Sequence, residues 1–259
     1  MIELKNANQL VTIDAGELTG YRVNDHEFIH QKGSPGWRSS DTEMFPIIGP
    51  TAEAGFRVQT PRGEARQDQH GLLREMDYEL AEQTGAGAVF QKVYHAGTPV
   101  DNSKYPGKST EAQLAWPYDF KFMKTFEVRE AALFITFQIS GEAGMPFMLG
   151  YHPAFKLYAE KPVIYAKDKS IQLAEVLAAG SQALPVLDCR SITLQDEKTL
   201  TISTEGFDHF MLWTEVPNMV CIEPITFYPY QVAQNELHTG FQLLTEPEHT
   251  FRVRIQAGG

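Results

Sequence analysis

The sequence lacks the features that mark disulfide-rich and membrane-spanning proteins. Its 259 residues include only two cysteines, Cys189 and Cys221, too few for a disulfide framework or a Cys-rich zinc site. We expect both thiols to be reduced and buried. No run of about 18 apolar residues occurs, so we expect no membrane-spanning helix. Residues 1–10 lack a basic stretch followed by an apolar run, which predicts no signal peptide and a cytoplasmic location.

Positive charge is also scarce. Lysine and arginine total 22 against 33 for aspartate and glutamate, which gives a formal net charge of −11. Proteins that bind nucleic acid through its phosphates are usually basic, and anionic lipid surfaces attract basic segments. The charge therefore argues against a nucleic acid or membrane partner and favours a small molecule or a protein.

Two familiar catalytic motifs are missing as well. The chain has no glycine-rich phosphate-binding loop of either common spacing and no Gly-x-Ser-x-Gly nucleophile elbow. Nucleotide-dependent transfer and serine hydrolysis therefore have no support in the sequence.

What the chain does contain is alternation of apolar and polar residues with period two, as a strand with one buried face requires. Helical periodicity is limited to residues 171–179, which Gly180 would end. Residues 98–110 are rich in proline and glycine and predict a long loop. Many strands without alternating helices predict an all-β protein: one large antiparallel β-sandwich domain over residues 1–259, with few short helices. The predicted strands lie at residues 88–95, 120–128, 133–139, 200–203, 210–214 and 251–255.

Two histidines lie in surroundings that suit a binding site. His70 precedes Gly71, which leaves room for a ligand near the backbone, and Arg74 offers a fork of hydrogen-bond donors. The alternative is a polar turn that enters a strand. His152 precedes Pro153, which favours an extended conformation and a strand end at the rim of a sheet. The alternative is a histidine with a purely structural role in the core.

Glu223 is the most informative single residue, because it interrupts the apolar run of residues 219–225. A carboxylate in such a run is costly unless it is paired or used. In a strand, Met219, Cys221 and Glu223 would share one face, while Val220 and Ile222 would share the other. Burial next to a cleft would raise the pKa of Glu223. The alternative is an ion pair with a nearby arginine or lysine.

Other residues are weaker candidates for the site and suggest alternative functions. Trp116 could form an aromatic platform for a sugar face, although core packing is the commoner use of tryptophan. Asp208 could line the site, and with Glu223 it is the one carboxylate pair we could nominate for a glycoside-active enzyme. A metal-dependent enzyme that uses His70, His152 and Glu223 as ligands is another alternative.

Four of these segments, in this order, resemble the motifs of the aldose 1-epimerase (galactose mutarotase-like) family. The resemblance covers most of the chain, from about Leu4 to Ile255, and also includes an earlier Phe-Pro-x-x-Gly segment at residues 45–49. The four are Gln69-His70-Gly71 with Arg74, Trp116-Pro117-Tyr118-Asp119-Phe120, Gly150-Tyr151-His152-Pro153-Ala154-Phe155 and Cys221-Ile222-Glu223-Pro224.

The resemblance implies a β-supersandwich that binds a sugar in an open cleft across one sheet, with no cofactor. We also expect no metal. It implies that Glu223 is the general base and His152 the general acid of anomer interconversion. Gln69, His70 and Arg74 would contact the sugar. An imidazole with an ordinary pKa of about 6.5 suits an acid that works near neutral pH. We expect a monomer or a weak homodimer.

One position departs from the family. Pro50 stands where relatives commonly carry a sugar-binding arginine, and Arg57 and Arg74 are the candidates to replace it. Members that act on phosphorylated sugars share the His-Gly-x-x-Arg pattern, so both free and phosphorylated hexoses stay open as substrates. Because of this departure, the main alternative is a carbohydrate-binding protein of the same fold that has no catalytic activity.

Overall fold

The fold is built almost entirely of antiparallel strands, as the sequence predicts. We describe residues 1–258 in a computed structural model. Each of the six predicted strand segments is a strand, with bounds that differ by a few residues. The strands are β1 Ile2–Asn6, β2 Gln9–Asp14, β3 Glu17–Val23, β4 His26–Glu27, β5 Glu43–Met44, β6 Arg57–Thr60, β7 Gly63–Arg66, β8 Glu79–Gln83, β9 Gly87–Tyr94, β10 Val100–Asp101, β11 Gln113–Leu114, β12 Phe120–Arg129, β13 Ala132–Gly141, β14 Pro146–Phe147, β15 Gly150–Tyr151, β16 Ala154–Lys156, β17 Val163–Ala166, β18 Lys169–Gln172, β19 Leu184–Val186, β20 Ser191–Gln195, β21 Thr199–Glu205, β22 His209–Trp213, β23 Met219–Ile225, β24 Gln242–Leu243 and β25 Glu248–Ala257.

Helices are few and short. The α-helix α1 spans Leu173–Ala179, close to the predicted segment, and Gly180 follows it at a φ of 59°. The backbone N–H of Gln172 donates to the Glu175 carboxylate over 2.8 Å, which caps the first turn. No helix within residues 1–258 is long and apolar enough to cross a membrane. The 3₁₀ turns are Ala52–Ala54, Leu73–Glu75, Gly180–Gln182, Pro229–Gln231 and Gln234–Gly240.

Two large sheets form the sandwich. The first has nine strands in the order β18-β17-β20-β21-β25-β13-β12-β9-β8, and the second has six, β19-β22-β23-β15-β5 with β16 also paired to β23. In the middle of the nine-stranded sheet, β12 and β13 alternate buried and less buried residues along most of their length, so one face packs on the core. Phe137 of β13 meets Tyr151 of β15 with ring centroids 5.0 Å apart, which joins the two sheets in one core.

Strand β23 is buried along its whole length, for a different reason on each face. Val220 and Ile222 belong to the main core between the sheets. Met219 and Cys221 point the other way and form a small separate cluster with Ala154, which Trp37 and Trp213 cover. The predicted alternation along this strand is therefore correct, and the second face of the six-stranded sheet carries the candidate site.

Candidate active site

His152 and Glu223 are cross-strand neighbours on the six-stranded sheet. Strand β23 runs antiparallel to β15 and β16, with Gly150 opposite Ile225 and Ala154 opposite Cys221. The same register sets His152 opposite Glu223, and directly opposed residues point to the same face of a sheet. The His152 Nε2 atom lies 3.4 Å from Glu223 Oε1. The two side chains that the sequence singled out separately thus meet on one face.

The pair is almost completely buried, with side-chain exposures of 7% for His152 and 2% for Glu223. Burial raises the pKa of the Glu223 carboxyl well above its ordinary value. Burial and the positive charge of Arg74 lower the pKa of His152 to about 3. Both shifts favour uncharged forms, because desolvation penalises charge. This differs from our expectation of an imidazole that titrates near neutral pH.

Two buried atoms of the pair lack a hydrogen-bond partner. Glu223 Oε1 and His152 Nδ1 have none, even though Oε1 lies near the neighbouring ring nitrogen. Leaving a buried polar group unpaired costs about 1–3 kcal/mol. Native structures retain few such groups, and they often mark catalytic positions.

Tryptophan rings flank the imidazole of His152. Trp37 stacks on it, with ring centroids 4.3 Å apart and planes at 29°, and Trp213 meets it edge-on at 6.0 Å. Strand β22 pairs with β23 so that Trp213 is opposite Cys221 and Met211 is opposite Glu223. Sequence reasoning did not identify either tryptophan. The β22–β23 hairpin register could have revealed Trp213, whereas Trp37 lies in an irregular loop with no periodic signal.

His70 approaches the pair from a strained loop. It has a φ of 76°, and its ring centroid lies 5.5 Å from that of His152. Its Nδ1 lies 3.0 Å from the carbonyl oxygen of Ile48, which only accepts hydrogen bonds, so Nδ1 carries the hydrogen. Burial and the neighbouring His152 lower the pKa of His70 well below its ordinary value. The neutral ring therefore offers Nε2 as a hydrogen-bond acceptor.

Gly71 explains how this loop comes so close to the core. A Cβ atom at Gly71 would lie 2.2 Å from the carbonyl oxygen of Phe45, and Gly71 has a φ of 70°. Only glycine fits both conditions without a backbone shift. The Gly in the His-Gly motif thus sets the position of His70.

A cleft of about 460 Å³ opens above these groups, within the range of about 300–1,000 Å³ typical of small-molecule sites. Of the residues predicted to contact substrate, Gln69 and His70 line it together with His152 and Glu223. Pro50 lines a neighbouring depression that shares Gln69 and Tyr230 with the cleft. Further lining residues, all unidentified from the sequence, are Trp37, Lys108, Ser181, Ala183, Met211, Trp213, Glu215 and Tyr230.

Three predicted contact residues lie elsewhere. Trp116 is fully buried in the core, where its ring packs 5.8 Å from that of Phe241. Asp208 lines a separate surface depression and pairs with Arg190 over 2.6 Å. It therefore does not form a carboxylate pair with Glu223 in the cleft, as a glycosidase would require. Arg74 is partly buried and lines a different cavity, with its Nε 3.6 Å from Glu75.

Arg57 also lies away from the cleft. Its guanidinium pairs with Glu111 over 3.2 Å, and it does not line the cleft. The positive charge of Arg74 helps to lower the pKa of both His70 and His152. Lys108, from the predicted long loop, is the cationic side chain that reaches the cleft within the described residues.

A buried charge network supports the segment that carries His152. Lys124 contacts Asp41 at 2.7 Å and Glu43 at 2.6 Å, and all three side chains are at most 2% exposed. Tyr151, the residue before His152, donates to Asp41 over 2.7 Å. The backbone N–H of His152 donates to the carbonyl of Thr42 over 2.8 Å. The network thus links strands β5, β12 and β15 directly behind the site.

Residues 26–30 have the His-Glu-x-x-His spacing that forms a zinc site on a helix. Here the segment begins in strand β4, and its side chains have other partners. Glu27 accepts hydrogen bonds from the backbone N–H groups of Tyr21 and Ile29, each over 2.9 Å. His30 Nε2 donates to the carbonyl of Trp37 over 2.9 Å and so supports the ring that stacks on His152. Glu27 and His30 of this spacing thus support the local backbone and the Trp37 loop.

Comparison with known proteins agrees with this architecture. The family model described as Aldose 1-epimerase matches residues 1–223, and the chain belongs to that family. The plasmid and chromosomal LacX proteins of Lactococcus lactis subsp. lactis are each 25% identical over 223 residues, covering 80% of this chain and 70% of theirs. A galactose mutarotase-like protein from Lactobacillus casei has a TM-score of 0.81 at 14% identity, with 100% of both chains covered. A galactose mutarotase related enzyme from Lactobacillus acidophilus has a TM-score of 0.78 at 17% identity, covering 100% of this chain and 97% of that one. The solved structures thus share the fold, which confirms the predicted galactose mutarotase-like β-sandwich.

Proposed function

We propose that this protein is a mutarotase that interconverts the α and β anomers of a hexose. The cross-strand pair of His152 and Glu223, 3.4 Å apart at the floor of an aromatic cleft, carries the proposal. Ring opening and reclosure require one base and one acid, with no electron transfer and no second substrate. A carboxylate beside an imidazole supplies both, and each contributes about 10²–10⁴-fold when well placed.

The pair needs one transferable proton for this reaction. In the uncharged form favoured by burial, the proton is on Glu223, and its transfer to His152 gives the ion pair. Glu223 then removes the proton from the O1 hydroxyl while His152 protonates the ring oxygen, and the C1–O5 bond breaks to give the aldehyde. Rotation about C1–C2 and reversal of both transfers produce the other anomer. The sugar hydroxyls would supply the hydrogen bonds that the buried carboxylate lacks.

Other cleft residues would hold the sugar. The acceptor Nε2 of His70 suits a hydroxyl group, and Gln69 offers both a donor and an acceptor. Trp213 offers an apolar ring for a sugar face. Lys108 would take the part that an arginine at position 50 has in relatives. With the one lysine, Lys108, balanced by Glu215 on its walls, the cleft suits an unphosphorylated hexose better than a phosphorylated one.

Polarimetry tests the proposal. Freshly dissolved α-anomers of several hexoses, free and 6-phosphorylated, should relax to equilibrium faster with the protein than without it, and the free sugars should respond most. Rates equal to the uncatalysed rates with every sugar would contradict the proposal.

Replacing His152 with alanine should lower turnover far more than affinity. The imidazole gives its proton only during ring opening, so its loss should reduce kcat by about 10²–10⁴-fold and change KM little. Initial rates over a range of sugar concentrations separate the two constants. An unchanged kcat would mean that His152 has only a structural role.

The pH dependence of kcat/KM should follow the proton count of the pair. His152, with its pKa lowered to about 3, gains a second proton only in strong acid, which leaves the pair without a base. The pair loses its last proton only above the raised pKa of Glu223, which leaves it without an acid. After subtraction of the uncatalysed rate, we expect kcat/KM to be flat from about pH 5 up to the raised pKa of Glu223, and to fall on the acid side only towards pH 3. A loss of kcat/KM on acidification with a midpoint near 6.5, the ordinary value for histidine, would contradict this arrangement.

Sugar binding without catalysis is the second candidate function, and Pro50 favours it. Without an arginine at that position, the protein has one fewer positive charge to orient the sugar oxygens. A protein with this function would bind hexoses but leave their anomeric equilibration at the uncatalysed rate.

A further inference from the structure

His152, Cys221 and Glu223 bring three kinds of metal-binding atom together. One ring nitrogen, the thiol sulfur and one carboxylate oxygen all lie within 4.8 Å of one another. Within residues 1–258 this is the one such group of three, and all three residues are buried. The arrangement follows from the sheet register, because Cys221 precedes Glu223 by two residues on the same face of β23. The trio differs from the predicted alternative, since Cys221 takes the third position instead of His70.

The donor types of the trio suit a soft divalent cation, and one of its three distances fits tetrahedral coordination. Zinc binds nitrogen and oxygen at about 2.0–2.2 Å and thiolate at about 2.3 Å in tetrahedral geometry, which puts ligand atoms roughly 3.3–3.7 Å apart. The His152 Nε2–Glu223 Oε1 distance of 3.4 Å is already in that range. One thiolate and one carboxylate also neutralise a 2+ ion, which a buried site requires. Magnesium and calcium prefer oxygen ligands and fit the trio poorly.

An independent observation also points to a ligand here. Glu223 Oε1 is buried and has no hydrogen-bond partner. A cation between the three side chains would satisfy this atom. His152 Nδ1 also lacks a partner, whereas a resident zinc site usually anchors the second ring nitrogen of its histidine. The missing anchor favours reversible binding over a permanent structural ion.

We propose that His152, Cys221 and Glu223 bind zinc or a similar soft divalent cation reversibly, and that the bound ion blocks sugar turnover. The fourth coordination position would face the cleft. His152 and Glu223 carry the protons in the proposed reaction. Because a bound metal ion occupies both side chains, the protein cannot turn over sugar while the ion is bound. Only this inhibition depends on the proposed function, because metal binding itself rests on the geometry of the trio.

Metal titration of the protein after chelator treatment tests the site. Cobalt should give a thiolate-to-metal absorption band in the near ultraviolet, and calorimetry should show one zinc per chain. The Cys221→Ala variant should lose the band and bind zinc about a hundredfold more weakly or worse, more than the 10–100-fold typical of losing an outer-shell partner. Cys189→Ala is the matched control, because Cys189 is the other buried free cysteine and lies outside the trio, so both signals should persist.

Turnover provides a second readout, with each variant compared with its own metal-free rate. Zinc should inhibit the wild type and Cys189→Ala, EDTA should restore both rates, and magnesium should have no effect. Cobalt binding without the thiolate band, or equal zinc affinity in the two cysteine variants, would overturn the proposal. If Cys221→Ala does not fold, as judged by circular dichroism, the Cys221→Ser variant is used in its place, because serine has nearly the same volume as cysteine. Metal binding in a protein that never accelerates mutarotation would support the site and contradict the proposed function instead.

Discussion

Replacing Glu223 with glutamine should reduce the rate of anomer interconversion by about 10²–10⁴-fold while the sugar still binds. Glutamine has nearly the same shape and keeps an oxygen near His152, but it neither takes nor gives the proton. Polarimetry measures the rate, and titration of the sugar followed by NMR of the protein measures affinity.

The matched control is Glu205→Gln, the same change on strand β21 of the other sheet. Glu205 is 71% exposed, pairs with Arg252 and does not line the cleft, so its replacement should leave turnover within about twofold of wild type. If Glu223→Gln turns over at a near-normal rate, Glu223 has no part in the proton transfer.

Replacing Lys124 with methionine should lower the free energy of unfolding by about 3–5 kcal/mol, because it leaves buried carboxylates without their cation. Lys124 is 1% exposed and lies between Asp41 and Glu43. Burial raises the pKa of Asp41 to about 6 even with Lys124 present. Urea denaturation followed by circular dichroism gives the free energy.

The control for this variant is Lys121→Met on the same strand. Lys121 lies on the opposite face of β12 and is partly exposed, so its replacement should change stability by no more than about 0.5 kcal/mol. A loss below about 1 kcal/mol in Lys124→Met, similar to that in the control, would show that the charge network does not stabilise the fold.

Much of the fold could be predicted from the sequence because its strands are long and regularly patterned. The alternation over residues 133–139 sets which side chains face the core, and this periodicity does not depend on distant contacts. The short strands β5, β14 and β24 have only two residues each and could not be predicted. Pairing with distant segments defines them, as β14 pairs with β24 far along the chain.

Two site residues could be predicted from their neighbours in the sequence. Glu223 is a polar residue that interrupts an apolar run, and His152 is followed by a proline that restricts its backbone. The contact between them is not a local property, because it depends on the register of β23 against β15 and β16. For Trp116, by contrast, the sequence could not distinguish between two roles. An aromatic residue in a polar, proline-containing segment suits either a sugar platform or the core, and only the tertiary structure assigns it to the core.

The lowered pKa of His152 could not be predicted from the sequence either. Its shift to about 3 arises from burial and from the charge of Arg74, which lines another cavity. The proposed acid–base group is therefore the pair of His152 and Glu223, which shares one proton, and not a single imidazole that titrates near neutral pH.

Saturation-transfer NMR on a hexose at anomeric equilibrium is the most direct test of the central claim. Irradiating the α-anomeric proton should reduce the β-anomeric signal when wild-type protein is present, and this transfer should vanish with Glu223→Gln. Line broadening of the sugar signals without any saturation transfer would show binding without ring opening. That result would contradict the mutarotase account.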